Sequence, residues 1–462
     1  MRDVAHGGWC VARPEDGPVV FVRHTLPGET VLARLTEVTS RLARADAVEI
    51  LKPSPDRVQA PCPHAHPGGC GGCDWQHVTL PAQRSLKAAV VRQQLKRLAG
   101  IECEVTVEAL PGDDEPRDEQ ARDEQARDER PGDEQAGPAP AAGTGAGLGW
   151  RTRVQFAVRR DGVAGLRAHR SHDVIHVDRC LIAHPAITDL GIPGRRWPGA
   201  SSVEALVAAE SGERAVILTP GGRPAGKRGK PGHPVSLDGI TAEAVLRRSG
   251  SSNQSLTPLR GHAYLSQRAA GLDWRVSAGA FWQVHPAAAD VLIEAVEAVL
   301  EPAPGDVALD LYCGAGLFAG SLARVVGPSG TVIGVEADSG AVRDARHNLR
   351  EWPWARVHKG DVSAVLSRGD EPGVLPPARL VVADPPRAGL AREVIDYLGQ
   401  AANGAARFAY VSCDPATLAR DLGLLIARGW TLDGLRAFDA FPMTHHVECV
   451  AALSAPAAWL TT

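Results

Sequence analysis

Two side chains in the C-terminal third have the types that covalent catalysis needs. Cys413 stands in Tyr410-Val-Ser-Cys-Asp-Pro415, and Glu448 closes Phe441-Pro-Met-Thr-His-His-Val-Glu448. A thiol can attack an electrophilic carbon, and a carboxylate can take up the proton released afterwards. A second carboxylate opens Asp384-Pro-Pro-Arg387, again directly after an apolar run. Taken singly, each has a plainer explanation. A cysteine at a strand end is most often core filling, and most carboxylates are surface groups. Their meaning depends on whether the chain brings them to one place.

The elements that would do so are legible from residue 278 onward. Short apolar runs at Val307–Leu311, 331–335, Leu380–Ala383 and 408–411 alternate with helical segments. That rhythm predicts a doubly wound α/β domain with a mostly parallel sheet. Ligands of such sheets bind outside the carboxyl ends of the strands, where strand order reverses. Asp384 and Cys413 follow the third and fourth of these runs. A last strand at 447–453 is expected to be antiparallel, so that Glu448 starts at the same edge.

The first run ends in Asp310-Leu-Tyr-Cys-Gly314-Ala-Gly316, a glycine-rich turn opening a helix. The second ends in Glu336, 20 residues after Gly316 and suited to ribose hydroxyls. Gly314-Ala-Gly316-Leu-Phe-Ala-Gly320 departs from the G-x-G-x-x-G of dinucleotide sites, and acidic Asp310 suits the cationic amino-acid end of S-adenosylmethionine (SAM) better than a phosphate. The expected cofactor set is Gln283, Asp310, Tyr312, Gly314, Gly316, Glu336, Asp361 and Asp384. A methyl donor beside a thiol and two carboxylates suits methylation of uracil carbon 5. A thiolate adding to carbon 6 makes carbon 5 nucleophilic, and a base must then remove the carbon-5 proton. Cys413 is the expected nucleophile and Glu448 the base.

The chain has 462 residues, 44% hydrophobic and 23% charged, a balance that predicts several globular domains. No signal peptide or spanning run is evident, which predicts a cytoplasmic monomer without a membrane partner. Net charge is −4; residues 111–136 carry −7, so the rest carries +3. Cations concentrate at residues 75–101 (Arg84, Lys87, Arg92, Lys96, Arg97), at 151–170 and at 223–230, where they suit phosphate contacts or plain solvated faces. Residues 1–58 read as short strands around the turn at Pro27-Gly28, a small β-barrel. Residues 59–110 hold a cysteine-rich stretch and a basic helix near 80–98, and 111–149 are a low-complexity insertion expected to be disordered. A central β-rich domain occupies 150–277, with a hairpin turn at Asp161-Gly162 and an irregular patch at 221–262. The α/β domain occupies 278–462.

Nine cysteines without an export signal point to metal or catalytic use. Cys62, Cys70 and Cys73, with Cys180 as a fourth, could hold zinc, alone or with His64, His66 or His77, or an iron–sulfur cluster; spacing leaves both open. Cys10, Cys103, Cys313 and Cys449 have no evident partner.

Asp310-Leu-Tyr-Cys-Gly314, Asp384-Pro-Pro-Arg-Ala-Gly389, Tyr410-Val-Ser-Cys-Asp-Pro415 and His446-Val-Glu448 together resemble the RNA uracil-C5 methyltransferase family, and the N-terminal barrel resembles a TRAM domain, an OB-like RNA-binding module. The resemblance implies a Rossmann-like class I methyltransferase fold, Cys413 as nucleophile and Glu448 as proton acceptor. It implies that Gln283, Tyr312, Glu336 and Asp384 contact SAM or the target base, and that Cys62, Cys70, Cys73 and Cys180 hold a [4Fe-4S] cluster. Barrel and cysteines together resemble the branch acting on 23S rRNA more than the tRNA branch. Three positions depart from the family: Asp414 and His285 replace Asn, and Leu317 stands where a cofactor-contacting Asn is frequent. A carboxylate at 414 is expected to disfavour the neighbouring thiolate. Other readings are a tRNA uridine methyltransferase, an inactive RNA-binding assembly factor, and an adenine or guanine methyltransferase that would need no thiol.

Overall fold

The structure, a computed structural model, describes residues 1–14, 17–114, 145–221, 239–248, 256–367 and 375–459. The basic stretch at 223–230 and most of the 111–149 insertion lie outside the described residues.

The N-terminal unit is a five-stranded sheet of β1 (Asp3–Ala5), β2 (Trp9–Ala12), β3 (Val19–Arg23), β4 (Thr30–Val38) and β5 (Leu42–Lys52), in the order β1-β2-β3-β5-β4. The runs flanking Pro27-Gly28 are thus not partners of one another. Strand β3 pairs in parallel with β5.

Helix α1 (Leu80–Ala99) has a proline in its first turn and ends at Gly100, which takes the left-handed conformation (φ 67°) that closes a helix at low steric cost. It turns Gln83, Lys87, Val91 and Leu95 inward. The five cations, which suited phosphate contacts or plain solvated faces, each have a partner in the protein, and the Lys96–Glu102 pair lies exposed. Lys87 is fully buried and pairs with Asp439, Arg84 with Asp114 and Lys96 with Glu102, while Arg92 donates to the Val105 carbonyl and Arg97 to Gln94.

Strand β6 (Val107–Glu108) leads to the central sheet. That sheet comprises β7 (Arg153–Val158), β8 (Ala164–Arg167), β9 (Val174–Ile175), β10 (Ala200–Val207), β11 (Arg214–Pro220), β12 (Ala244–Arg248) and β13 (Leu256–Arg260), with the short α2 (Pro185–Thr188) packed on it. Asp161-Gly162 turns β7 into β8 as expected, Gly162 adopting φ 83°. The patch expected to be irregular contains β12 and β13, whose paired registers rest on buried Ala244, Val245 and Leu246. A hairpin, β14 (Tyr264–Ala269) and β15 (Leu272–Ser277), joins this unit to the last.

The last unit alternates helix and strand: α3 (Ala288–Leu300), β16 (Val307–Leu311), α4 (Leu317–Val326), β17 (Thr331–Glu336), α5 (Ser339–Asn348), β18 (Ala355–Lys359), α6 (Val362–Leu366), β19 (Leu380–Ala383), α7 (Arg392–Leu398), β20 (Arg407–Ser412), α8 (Pro415–Ile426), β21 (Thr431–Phe438) and β22 (Glu448–Ser454). The sheet order is β18-β17-β16-β19-β20-β22-β21-β6. Strands β16 to β20 are parallel, and β22 runs antiparallel between β20 and β21. Helices cover both faces, which is why these strands are continuous apolar runs rather than alternating ones. Order reverses between β16 and β19, so the crevice opens at their carboxyl ends. Among the described residues no helix is long and apolar enough to cross a membrane.

Candidate active site

The carboxyl edge of this sheet gathers the predicted reacting groups. Ser412, the last residue of β20, pairs with Cys449, the second of β22. Cys413 therefore leaves one strand beside the point where Glu448 enters the next. Asp384 follows β19, the other neighbour of β20, and its N–H donates to Leu311 at the end of β16 (3.4 Å). One thiol and two carboxylates line the edge across the switch point.

Their electrostatics are unfavourable at rest. Burial pushes the Cys413 thiol up to about 12, helped by Glu448 and Asp384, while the Arg387 guanidinium pulls it back. Burial also lifts Asp384 to about 7, and holds Glu448 well above the usual carboxylate range, with Asp384 adding to that rise. Glu448 Oε1 is buried without a hydrogen-bond partner. A carboxylate with a free lone pair and a raised proton affinity is equipped to accept a proton.

On the cofactor side, Gly314 donates its N–H to Glu336 Oε2 (3.0 Å), and Glu336 Oε1 accepts from Asp338 N–H (2.7 Å). The carboxylate shapes the turn and keeps lone pairs for a diol. Gly314 and Gly316 have φ of 54° and 91°, and a Cβ on Gly314 would meet nothing within 4 Å. Asp310 lies buried under the turn, Oδ2 accepting from Ala319 N–H (2.8 Å) and Oδ1 unpartnered. Tyr312 is held at φ 65°, outside the usual range of a non-glycine residue. An open glycine cradle flanked by carboxylates fits SAM. Asp361 caps α6 through Ala364 N–H (3.1 Å) and adds its charge beside Tyr312. Gln283 is buried in the segment before α3 and lines a small cavity with Trp282, Thr152 and Leu265.

Two positions escaped the sequence reading. Asp421, buried on α8, accepts from Leu390 N–H (2.8 Å) and from the Tyr410 hydroxyl (2.7 Å), tying the Asp384-Pro-Pro loop to the helix that follows Cys413. A Cβ on Gly389 would lie 2.4 Å from Asp421 Oδ2, so the loop can approach only without a side chain there. Its signal was present: Asp421 is an acid on the apolar face made by Leu418, Leu422 and Leu425. His446 is the other, part of a motif but given no role of its own. Burial, with His445 and Arg387, holds it down to about 3, so it is a neutral ring 3.5 Å from the Arg387 guanidinium.

The departure at 414 has a structural account. Asp414 is the N-cap of α8, with Oδ1 accepting from Ala416 and Thr417 N–H (both 2.9 Å) and Pro415 in the first turn. Burial alone would raise it, but His6 and these N–H groups hold it down to about 2. At the second departure, His285 Nε2 meets Asp113 (3.0 Å) in the core and stacks on Trp150. Leu317, the third, is buried at the start of α4.

The metal expectation is overturned. Cys62, Cys70, Cys73 and Cys180 line one cavity of about 420 Å³. Yet among the described residues no group of three or more His, Cys, Asp or Glu side chains could hold a metal ion, whether iron–sulfur or zinc. The sulfurs take separate protein donors, Cys70 from Gly72 N–H (3.4 Å) and Cys73 from the Gln76 amide (3.2 Å). Burial pushes Cys70 up to about 11 and raises Cys73 and Cys180 as well.

Residues 378–455 match the family profile described as tRNA (uracil-5-)-methyltransferase, and residues 2–48 match the TRAM domain. Residues 283–370 also match a protein-L-isoaspartate O-methyltransferase profile. An uncharacterized RNA methyltransferase of Streptomyces coelicolor is 48% identical over 98% of this chain and 92% of its own length. One of Bifidobacterium longum is 35% identical over 97% of this chain and 94% of its own. Among solved structures, the Pyrococcus abyssi tRNA (uracil-54, C5)-methyltransferase in complex with S-adenosyl-L-homocysteine superimposes with a TM-score of 0.64, covering 94% of both chains at 23% identity.

Proposed function

The chain belongs to the class I, SAM-dependent RNA uracil-C5 methyltransferases, and we propose that within this activity it modifies a uridine of tRNA, with Cys413 as nucleophile and Glu448 as base. The RNA partner follows from the family and its TRAM domain. The expectation of 23S rRNA rested on the TRAM-like barrel together with the cysteine cluster; the TRAM match stands, but the cluster as a metal site does not. The profile matched over residues 378–455 is a tRNA one, which favours the tRNA reading.

One observation carries the chemistry: the Ser412–Cys449 register sets Cys413 beside Glu448 at the mouth of the crevice. SAM, when bound, supplies an electrophilic methyl group. The chain's own residues do the rest. Cys413 Sγ adds to carbon 6 of the flipped uracil, its proton passing to the carboxylate pair. After methyl transfer, Glu448 removes the carbon-5 proton so that Sγ can leave. A loop uridine is the expected target, because the base must be unstacked to reach the thiol.

RNA containing 5-fluorouridine tests this, since fluorine cannot leave as a proton. With SAM, tRNA transcripts should give a covalent complex on denaturing gels, and Cys413→Ala should give none. Full methylation by Cys413→Ala would favour an amine-directed methyltransferase instead. An intact chain that methylates no RNA would favour the assembly-factor reading. A deletion strain should lose 5-methyluridine from tRNA; loss from rRNA with tRNA unchanged would reverse the choice of RNA.

A further inference from the structure

We propose that His6, in the turn between β1 and β2, is a positioning residue of the active site that donates an N–H to Asp414 beside the nucleophile and so shields its charge. The proposal rests on the reading of Cys413 given above and adds a residue more than 400 positions away in sequence.

His6 Nε2 lies 3.3 Å from Asp414 Oδ2. An ionised carboxylate only accepts hydrogen bonds, so Nε2 carries the proton of this contact. The two oxygens of Asp414 have separate tasks: Oδ1 caps α8, and Oδ2 faces the barrel. Asp414 acts with Glu448 and Asp384 against the Cys413 thiolate, and Arg387 opposes them; without the His6 contact the unshielded Oδ2 would weigh more heavily on that side. The departure from Asn at 414 is thereby offset by a residue from another unit.

The turn that carries His6 is held closely. Trp75 Nε1 donates to the Gly8 carbonyl (3.3 Å), and a Cβ on Gly8 would stand 3.1 Å from the Cβ atoms of both Asp74 and His445. Asp74 Oδ2 meets His445 Nδ1 (2.6 Å), and Asp74 Oδ1 faces Arg23 (3.9 Å). The His445 ring is edge-on to His6, with centroids 6.4 Å apart. The charged and titratable groups around His6 are therefore Asp414 on the catalytic side, His445 on the segment leading to Glu448, and Asp74 with Arg23 behind them. The same turn touches the residue after the nucleophile and the segment before the base.

The test is alkylation of Cys413 by iodoacetamide in the full-length protein, followed across pH by peptide mass spectrometry. His6→Ala should displace the rate–pH profile upward by about half a pH unit, about threefold in rate at fixed pH, the size of effect a partly exposed pair exerts. His6→Ala/Asp414→Asn should return to the wild-type profile, because Asn still caps α8 but carries no charge. His6→Gln, which keeps an N–H donor, should stay near wild type. No shift in His6→Ala, or an equal shift with and without Asp414→Asn, would overturn the proposal. Alkylation reports the thiol itself, so this outcome is independent of whether Cys413 attacks uracil; the Cys413→Ala adduct assay decides that separately.

Discussion

At the scale of single residues, the site holds Cys413, the proposed nucleophile, in the unreactive form. Burial and two carboxylates keep Cys413 near 12, so the free protein has little thiolate at neutral pH. The sign of each carboxylate's effect is fixed: an anion near Sγ disfavours a second anion. Asp384 ionises around pH 7, so raising pH through that value adds charge against the thiolate and flattens its gain. Asp384→Asn should remove that opposition and speed Cys413 alkylation at mildly alkaline pH by about tenfold. Methylation should fall in the same variant if Asp384 also contacts the base or cofactor. Glu448→Gln separates the two halves of the reaction. Sγ should still add and the methyl group still transfer, but the carbon-5 proton stays. Ordinary uridine RNA should then give the covalent complex that wild type forms only with 5-fluorouridine, with turnover down by about 10²–10⁴-fold. Cys413 and Glu448 were legible in the sequence because strand ends can be read from apolar runs. Asp414 does count against the Cys413 thiolate, as expected, but its capping of α8 and its contact with His6 could not be read from sequence, because a side chain's partners are fixed only in three dimensions.

At the scale of elements, the central parallel strands were legible in local sequence, since strands buried on both faces leave continuous apolar runs, whereas the more exposed β18 and β21 leave none and were missed. The antiparallel placement of β22 also followed from topology. Other pairings did not. The two-residue β6 docks beside β21 more than 300 positions later, and β3 bypasses β4 to pair with β5. Nothing in a local window encodes such non-local partners. Gly320 is a case where the local reading stopped short. It was the third glycine of a cofactor fingerprint with imperfect spacing, yet its place in α4 is set by packing: a Cβ there would lie 2.5 Å from Trp274 Cη2 and 3.2 Å from Trp352 Cζ3. Trp274 is almost wholly buried and cannot swing aside. Gly320→Ala should therefore cost about 1–3 kcal/mol, the range for overpacking a rigid core, despite the better helix propensity of alanine. Thermal unfolding would check it, and a variant as stable as wild type would mean that the β14–β15 hairpin yields.

At the scale of the whole molecule, the units form a working site only if the barrel is seated on the catalytic edge, and Gly8 allows a direct measurement of that seating. Two barrel glycines share nearly the same backbone conformation, Gly8 at φ 79° and Gly28 at φ 84°. Their surroundings differ. A Cβ on Gly28 meets nothing within 4 Å, whereas one on Gly8 presses on Asp74 and His445 at 3.1 Å. Gly28→Ala should thus cost only the strain of a left-handed non-glycine residue, about 1–2 kcal/mol. Gly8→Ala should pay the same strain plus the loss of docking, for a total of about 2–4 kcal/mol. The excess belongs to the interface, so it should appear in function as well as in stability. Separation of the turn withdraws His6 from Asp414, and adduct formation with 5-fluorouridine RNA should slow in Gly8→Ala but not in Gly28→Ala. Equal losses in the two variants, by calorimetry and by adduct rate, would mean that the barrel contributes RNA affinity alone and leaves the thiol untouched. A slower adduct in Gly8→Ala alone would mean that the RNA-binding unit also sets the reactivity of the sulfur, which ties recognition to chemistry through one turn.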